Sequence, residues 1–298
     1  MLDFNLRVFL AVAKTNSFTK GAEVANITQP AVTHQIKSLE HMLNTKLFNR
    51  VGNKIHLTES GRILLRYANG IELLYKNAIQ EILISNDMVA GEVLLGSTGI
   101  PGTYILPTVL SGFIELFPDV NLSMLLANSQ DITQYIGEGI VELGVVSEPL
   151  KPKDFKCNLI YRDHLIIIVS AGHKWCERKQ VDPHELSSEN FIAREPGSGT
   201  REVYTRSLEN LCGKCQLRTV ISMGSTEAIK TAVMVGMGFS IVSRTACKQE
   251  LEQGLLKEVS VKGLKMKRDF FLLSREESTM SVAARKLKEY LISNRHTD

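Results

Sequence analysis

The chain has 298 residues, of which 44% are hydrophobic and 22% are charged, and its formal net charge is +3. This composition is ordinary for a folded globular protein, and the length allows two or three domains that each bury a core. No apolar stretch approaches the roughly 20 residues that span a bilayer, and no secretion signal is apparent, so we expect a cytoplasmic protein without a membrane segment.

The positive charge is concentrated at the N-terminal end. Residues 1–66 contain nine lysines and arginines against four aspartates and glutamates, whereas residues 91–298 contain 25 of each kind. This asymmetry favours an anionic partner for the first fifth of the chain, although a solvated basic helix face would look the same.

Three short helices are predicted in this basic region. The first places its apolar residues at the i, i+3, i+4, i+7 spacing of one helical face: Leu6, Phe9, Leu10 and Ala13. Ser17 or Thr19 caps a second helix that runs to Ala25. A third begins near Pro30, because proline is favoured in a first helical turn, where its missing N–H is not needed. Residues 26–30 therefore form a tight turn between two helices.

The third helix has the composition of a helix that reads DNA. Its apolar stripe is Val32, Ile36, Leu39 and Leu43, and its other faces carry small, hydrogen-bonding and cationic residues: Ala31, Thr33, His34, Lys37 and Ser38. Such residues suit a helix whose N-terminal end enters the major groove. A plain helical hairpin would show the same spacing, because helix-turn-helix patterns are short.

A β-hairpin follows this helix. Residues 47–61, LFNRVGNKIHLTESG, turn at Gly52-Asn53, with Arg50 and Lys54 beside the turn. These cations lie where a wing would meet phosphates or a minor groove. The three helices and the hairpin together form the pattern of a winged helix-turn-helix.

The motifs of this region are dense and collinear: Ser17-Phe18-Thr19, Gln29-Pro30-Ala31-Val32-Thr33, Gln35-Ile36, Leu39-Glu40, Leu47-Phe48, Arg50, Leu57-Thr58 and Gly61. With them, residues 9–65 resemble the N-terminal domain of LysR-type transcriptional regulators. The resemblance implies that residues 1–58 form a DNA-binding domain for double-stranded DNA. Its implied contacts are Gln29, Pro30, Ala31, Thr33, His34 and Lys37 in the helix and Arg50, Asn53 and Lys54 in the wing.

Three positions depart from the family pattern. Gly21 and Ala25 are smaller than the alanine and leucine that the family usually has, so they should loosen a small core. Asn44 replaces a glycine, and asparagine can still adopt the left-handed backbone conformation that glycine supplies.

A long helix is predicted over residues 59–90. Thr58 caps its start, and no proline interrupts it before Pro101. Its apolar stripe contains Leu64, Ala68, Ile71, Leu74 or Tyr75, Ala78, Ile82 and Ser85, which gives about 30 residues and ~45 Å of helix. The resemblance implies that this linker pairs two chains in a homodimer, that dimers assemble into homotetramers, and that RNA polymerase is a further partner.

From Gly91 onward, short β-rich runs alternate with helices, which indicates parallel α/β structure. The runs form two similar halves, residues 91–160 with 269–298 and residues 161–268, and two halves imply a cleft between them. This region resembles the effector-binding domain of LysR-type regulators, itself similar to periplasmic solute-binding proteins. The predicted fold is therefore α+β: a winged helix-turn-helix, a linker helix and an α/β effector domain of two subdomains.

Short polar turns before helices are the candidate effector site. They are Ser97-Thr98-Gly99, Asn128-Ser129, Gly197-Ser198-Gly199-Thr200-Arg201 and, with a weaker signal, Thr226. Free N–H groups at helix N-termini, hydroxyls and the charge of Arg201 suit a small anion such as a carboxylate. Ordinary helix capping would produce the same turns.

Enzymatic activity is not expected. The chain has no GxxxxGK[ST], GxSxG or HExxH motif, and we predict no cofactor and no metal site. The remaining alternative is a thiol- or metal-responsive regulator, since His173-x-x-Cys176 and Cys212-x-x-Cys215 supply two ligand pairs. Together with Cys157 and Cys247, however, the cysteines are five and sparse, and they are most simply reduced thiols.

Overall fold

A computed structural model of the protein describes residues 3–51, 54–83, 89–147, 155–213 and 216–295. Its α-helices are α1 Phe4–Thr15, α2 Phe18–Ala25, α3 Gln29–Met42, α4 Glu59–Leu83, α5 Leu106–Leu116, α6 Ser129–Glu138, α7 Gly199–Cys212, α8 Thr226–Met234, α9 Lys248–Glu252 and α10 Val282–Ser293. Its strands are β1 Phe48–Val51, β2 Lys54–Leu57, β3 Gly91–Ser97, β4 Val120–Leu126, β5 Leu143–Val146, β6 Lys156–Ser170, β7 Asn190–Arg194, β8 Arg218–Met223, β9 Ser240–Ser243, β10 Leu256–Val259 and β11 Met266–Ser274. Within these ranges no helix is both long enough and apolar enough to cross a membrane.

The turns between the first three helices follow from their polar residues. Asn16 and Asn26 adopt the left-handed conformation, with φ of 48° and 53°, and end α1 and α2. The side chains of Ser17 and Thr28 each accept a hydrogen bond from the backbone N–H three residues later. Each following helix thus begins on a side-chain cap. Residues 26–30 therefore combine the stop signal of one helix with the start signal of the next.

Helices α1 and α2 pack at closer range than the sequence suggested. Gly21 is buried, and a Cβ atom added to it would lie 3.0 Å from the Cα atom of Val12. The prediction that Gly21 loosens the core is wrong, because the glycine lets the two helix backbones approach each other directly. Asn44 is left-handed with a φ of 48°, as predicted.

Helix α4 begins after the predicted cap and has 25 residues. The Thr58 hydroxyl accepts from the N–H of Gly61 at 3.0 Å and donates to the carbonyl of Lys46 at 2.6 Å. Part of the predicted stripe is wrong, because Leu64 and Ala68 pack into the core of the winged helix. Among the side chains that the structure describes in α4, the large apolar ones that are exposed are Ile63, Tyr67, Ile71, Leu74 and Tyr75. Ser85 and the rest of 84–88 lie outside the described residues, as does the side chain of Ile82.

The C-terminal region is built on one large mixed sheet with the order β10-β6-β11-β5-β3-β4, in which β9 also pairs with β6. Strands β3, β4 and β5 are parallel, whereas the long strands β6 and β11 pair antiparallel. A separate parallel pair is formed by β7 and β8. The parallel strands alternate with helices along the chain, as predicted.

Two hydrophobic clusters lie on either side of the long strands. One contains Leu95, Phe113 and Leu143 among its residues, and the other contains Trp175 and Phe239. Strands β6 and β11 run through both, because Ile160 and Phe270 belong to the first cluster while Leu165 and Met266 belong to the second. The subdomains are thus joined by two continuous strands, and residue-level boundaries between them stay predictions.

A polar contact joins the linker helix to the effector region. The side-chain amide of Asn69, on α4, donates to the carbonyl of Glu138 at 2.7 Å. Glu138 is the last residue of α6, and the next residue, Gly139, ends that helix with a φ of 69°. Asn69 is buried. It therefore satisfies a carbonyl that a helix C-terminus leaves unpaired.

Candidate functional site

The N-terminal end of α3 presents polar side chains on one open face. The side-chain amide of Gln29 donates to the Thr33 hydroxyl, and that hydroxyl donates to the Gln29 carbonyl, both at 3.1 Å. Gln29, Pro30, His34 and Lys37 are exposed, and Ala31 and Thr33 are partly exposed. The six residues predicted to meet DNA from this helix are therefore all accessible.

The wing is held to the recognition helix by a buried carboxylate. Glu40, on α3, accepts from the N–H of Leu47 at 2.9 Å and from the Lys46 ammonium at 2.6 Å. These bonds fix the start of β1, which pairs antiparallel with β2. Arg50 lies in β1 and Lys54 in β2, next to the turn, whereas Asn53 lies outside the described residues. Both predicted wing residues that the structure describes thus belong to the hairpin.

A cavity of about 890 Å³ lies between the two subdomains. It is lined by most of the residues predicted to bind an effector: Thr98, Gly99, Asn128, Ser129, Gly197, Ser198, Gly199, Thr200 and Thr226. They come from the ends of β3, β4 and β7 and from the starts of α6, α7 and α8. The structure therefore brings together four polar turns that are far apart in the sequence.

Two predicted site residues do not line this cavity. Ser97 is fully buried, and its hydroxyl donates to the Thr98 carbonyl at 3.0 Å. Arg201 points along another face of α7, where its guanidinium donates to the carbonyl of Arg194 at 2.9 Å and borders a different pocket next to Tyr204. The prediction that Arg201 supplies charge to the cleft is wrong, because one residue along a helix turns a side chain by about 100°.

Two other arginines line the cleft, and no local motif predicted either of them. Arg194 follows the buried run of β7, and Arg268 lies in β11, where its side chain is almost completely buried. Arg194 forms a bidentate pair with Glu195, with both N···O distances 2.8 Å. Arg268 binds Asp163 at 2.5 Å. Each guanidinium is thus paired with a carboxylate inside the protein.

The surroundings of these pairs shift the pKa of two of their members. Burial lowers the pKa of Arg268, and Asp163 opposes that shift. Burial acts to raise the pKa of Glu195, but the hydrogen bond and charge of Arg194, a backbone hydrogen bond and the charge of Arg201 together outweigh it and hold the pKa below its usual range. Each guanidinium faces a carboxylate, so the pairs add little net charge to the cleft.

The helix N-termini at the cleft differ in how they are capped. The side chain of Asn128 caps α6 by accepting from the N–H of Asp131 at 2.8 Å, and Ser225 caps α8 by accepting from the N–H of Ala228 at 3.4 Å. In contrast, Ser198 makes no side-chain cap at α7. The first intrahelical N–H bond of α7 comes from Glu202, at 3.1 Å to the Ser198 carbonyl. The N–H groups before it have no intrahelical partner.

One hydrogen bond joins the two subdomains across the cleft. The hydroxyl of Tyr104, next to α5, donates to the carboxylate of Glu227 in α8 at 2.5 Å. Glu227 also binds Lys230, which lies 5.4 Å from the centre of the Tyr104 ring. Burial, together with Glu227, raises the pKa of Tyr104. The phenol thus stays protonated and able to donate.

The cysteines that the structure describes behave as ordinary thiols. Cys176 and Cys212 each donate to a backbone carbonyl, at 3.3 and 3.2 Å. Burial raises the pKa of Cys157 and raises that of Cys247 to about 12, which disfavours the reactive thiolate. In the described ranges no three His, Cys, Asp or Glu side chains could hold a metal ion, and Cys215 lies outside those ranges.

A winged helix-turn-helix, a long linker helix and a two-lobed domain with a polar cleft define a DNA-binding transcriptional regulator with an effector-binding domain. Residues 4–62 match the family described as bacterial regulatory helix-turn-helix protein, lysR family, and residues 86–295 match the LysR substrate binding domain. The chain belongs to the LysR family of transcriptional regulators. Neither matched family indicates an enzymatic activity.

Known proteins resemble most or nearly all of the chain. The HTH-type transcriptional regulator CbbR of Rhodospirillum rubrum is 32% identical over 286 residues, which cover 96% of this chain and 94% of CbbR. The regulatory domain of Synechocystis PCC6803 CcmR in complex with 2-PG is 26% identical, with a TM-score of 0.62, and the match covers 70% of this chain and 98% of that one. Full-length CbnR in complex with its target DNA has the same fold, with a TM-score of 0.65, 18% identity and coverage of 98% and 100%.

Proposed function

We propose that this LysR-type regulator is controlled by a small anion bound in the cleft between its effector subdomains. The supporting observation is the open N-terminus of α7. Three helices begin at the cavity, and the starts of α6 and α8 are closed by their own side chains, whereas α7 is not. Free N–H groups and the positive end of the helix dipole then favour a carboxylate, sulfate or phosphate oxygen. The similar CcmR domain was solved with 2-PG bound, which is consistent with a small-molecule effector.

The DNA side of the proposal follows from the exposed face of α3. We infer that Gln29 and the residues around it reach base edges, while Lys37, Arg50 and Lys54 meet phosphates. Residues 1–58 would form the DNA-binding domain, 59–90 the linker and 91–298 the effector domain. The exposed stripe of α4 supports a homodimer through the linker. Assembly into tetramers and contact with RNA polymerase are proposed from membership of the family.

The effector site is tested by removing one N–H group from the open helix end. Gly199 is the first residue of α7, and proline is favoured at this position, because the lost N–H has no intrahelical partner. Ser198 before it has φ of −76° and ψ of 125°, which proline tolerates in a preceding residue. Gly199→Pro should therefore preserve the helix and lose the ligand contact. Gly199→Ala is the matched control, because it adds a Cβ atom and keeps the N–H.

The measurement is ligand binding to the full chain, by thermal shift and calorimetry. The probes are 2-PG, sulfate, phosphate and small dicarboxylates, with neutral amides of the same size as controls. We expect at least one anion to raise the melting temperature of the wild type. Gly199→Pro should lower the affinity for that anion about tenfold or more, and Gly199→Ala should lower it less than threefold. Equal binding by all three proteins, or binding of the neutral amides alone, would refute the site.

A further inference from the structure

Two threonines of the cleft accept hydrogen bonds from the two arginines that line it. The Thr200 hydroxyl oxygen accepts from Nη1 of Arg268 at 2.9 Å, and the Thr226 hydroxyl oxygen accepts from Nη1 of Arg194 at 3.1 Å. A guanidinium has donors only and cannot accept in return. Each hydroxyl must therefore point its own proton away from its arginine. Both threonines line the cavity, at the starts of α7 and α8.

The Arg268 guanidinium is fixed in this role by its other partners. Its Nη2 binds Asp163 at 2.5 Å, and its central carbon lies 4.7 Å from the centre of the Phe270 ring. Asp163 is held in turn by the hydroxyl of Ser243 at 2.9 Å. Only 6% of Arg268 and 2% of Asp163 are exposed, so a rotation that released Thr200 would leave a buried charge unpaired, which is costly.

Arg194 is held by a different set of bonds. Its Nε and Nη2 atoms both bind Glu195, which leaves Nη1 for Thr226. Its backbone carbonyl accepts from Arg201, whose guanidinium thereby braces the turn before α7. The hydrogen bonds direct each guanidinium at a carboxylate and a threonine, and the buried Nε of Arg268 has no hydrogen-bond partner in the described part of the chain. Each arginine thus leaves its threonine hydroxyl with a proton to donate to another partner.

We infer that the hydroxyls of Thr200 and Thr226 can only donate hydrogen bonds to a ligand. They therefore select a ligand group whose oxygens only accept. This inference rests on the proposed anion site and names its chemical class: an ion whose oxygens all accept, such as sulfate or a carboxylate, because the N–H groups at the uncapped start of α7 are donors as well. A ligand O–H or N–H placed against these threonines would meet a donor and lose its own hydrogen bond, which is the costly mismatch. Arg194 and Arg268 act through the threonines and are positioning residues.

The test compares two ions of equal charge and shape. At pH 8, sulfate and hydrogenphosphate are both tetrahedral dianions, and they differ because hydrogenphosphate carries one O–H. We expect the full-length wild type to bind sulfate about tenfold more tightly than hydrogenphosphate in calorimetric titrations up to 100 mM. Thr200→Val should lower the affinity for sulfate about tenfold and bring the ratio close to one. Thr200→Ser should keep the ratio, because it keeps the hydroxyl.

Two further variants separate orientation from general damage. Thr205→Val changes the same helix at an exposed position outside the cleft, so it should bind both ions as the wild type does. In Arg194→Gln the new amide oxygen offers Thr226 an acceptor, so the Thr226 hydroxyl can donate to residue 194 instead of to the ligand. The preference of this variant for sulfate should therefore fall about threefold or more, whereas Thr200→Ser should retain the preference.

The outcomes distinguish this inference from the proposed function. One outcome is a wild type that binds hydrogenphosphate as tightly as sulfate, or more tightly. In that case a protein group accepts a hydrogen bond from the O–H of the ion, and the inference is wrong even though an anion binds. A wild type that binds neither ion up to 100 mM also overturns the inference, while the wider probe panel and Gly199→Pro still decide whether the cleft takes an anion. An unchanged sulfate preference in Thr200→Val would equally contradict it.

Discussion

Glutamate in place of Ile71 is expected to abolish dimerisation through the linker helix. Four apolar side chains on one side of α4 remain about half exposed in the single chain: Ile63 46%, Tyr67 61%, Ile71 50% and Leu74 54%. They follow one another at intervals of three or four residues, so they lie on a common face of the helix. Ile71 stands in the middle of this face. A second copy of α4 would cover it.

The magnitude follows from the area that remains to be buried. Full burial of such a side chain contributes about 1.5–3 kcal/mol, so the exposed half contributes about 1 kcal/mol. Four positions on each of two helices then give roughly 8 kcal/mol, similar to a micromolar Kd before the entropic cost of association is subtracted. The substitution removes the contribution of Ile71 from both helices of the dimer, which together is about 2 kcal/mol. The dimer is then roughly 30-fold weaker, and repulsion between the two new carboxylates weakens it further.

The assay is sedimentation at micromolar concentration, followed by titration of an operator with two half-sites. We expect monomers and a marked loss of operator affinity, since the second half-site is no longer bound within one molecule. Leu255→Glu is the matched control, because Leu255 is 49% exposed and lies far from the linker in the chain. If Ile71→Glu sediments as the control does, the chains associate through another surface and the reasoning is wrong.

Lys37→Ala should weaken binding to any DNA sequence and flatten the salt dependence by about one phosphate contact, whereas Gln29→Ala should mainly change sequence preference; titrations of cognate and random duplexes at several salt concentrations separate the two. Gly61→Ala should destabilise the winged helix by roughly 1–3 kcal/mol in thermal unfolding, because the new Cβ atom would lie 2.2 Å from the carbonyl oxygen of Leu47. Asn69→Ala should uncouple any effector response from DNA binding while anion affinity measured by calorimetry changes little, because it removes the bond between α4 and the C-terminal end of α6.

The winged helix was predictable from the sequence because its signals are local. The cap of α3 joins two residues that are three positions apart, Thr28 and Ala31, and Asn26 ends the preceding helix within its own turn. Such signals act over one helical turn and do not depend on the rest of the fold. The effect of Gly21 was not predictable in this way, because it depends on how closely another helix approaches.

The linker shows where helical periodicity stops being informative. Helix α4 is apolar on two sides: Leu65 and Ala68 pack on the winged helix, while Tyr67 and Ile71 are exposed. A spacing of three or four residues fits both sides equally well. The sequence therefore predicts the helix and its amphipathic character, but only the packing of the chain shows which apolar residues are left for a partner.

The effector cleft divides in the same way between local and distant information. Its polar turns were predictable, because each lies between a strand and a helix and carries glycine or hydroxyl residues at fixed positions. Arg268 was not, because it is 105 residues from Asp163 and 68 from Thr200 along the chain. Arg201 adjoins the turn in sequence and faces elsewhere, whereas Arg268 lies in a crossing strand and reaches the cleft. A buried arginine needs a carboxylate partner. For Arg268 the strands of the sheet supply that partner, and the polar turns do not. A search for the effector should therefore start from the orientation of the hydroxyl protons rather than from the number of nearby cations.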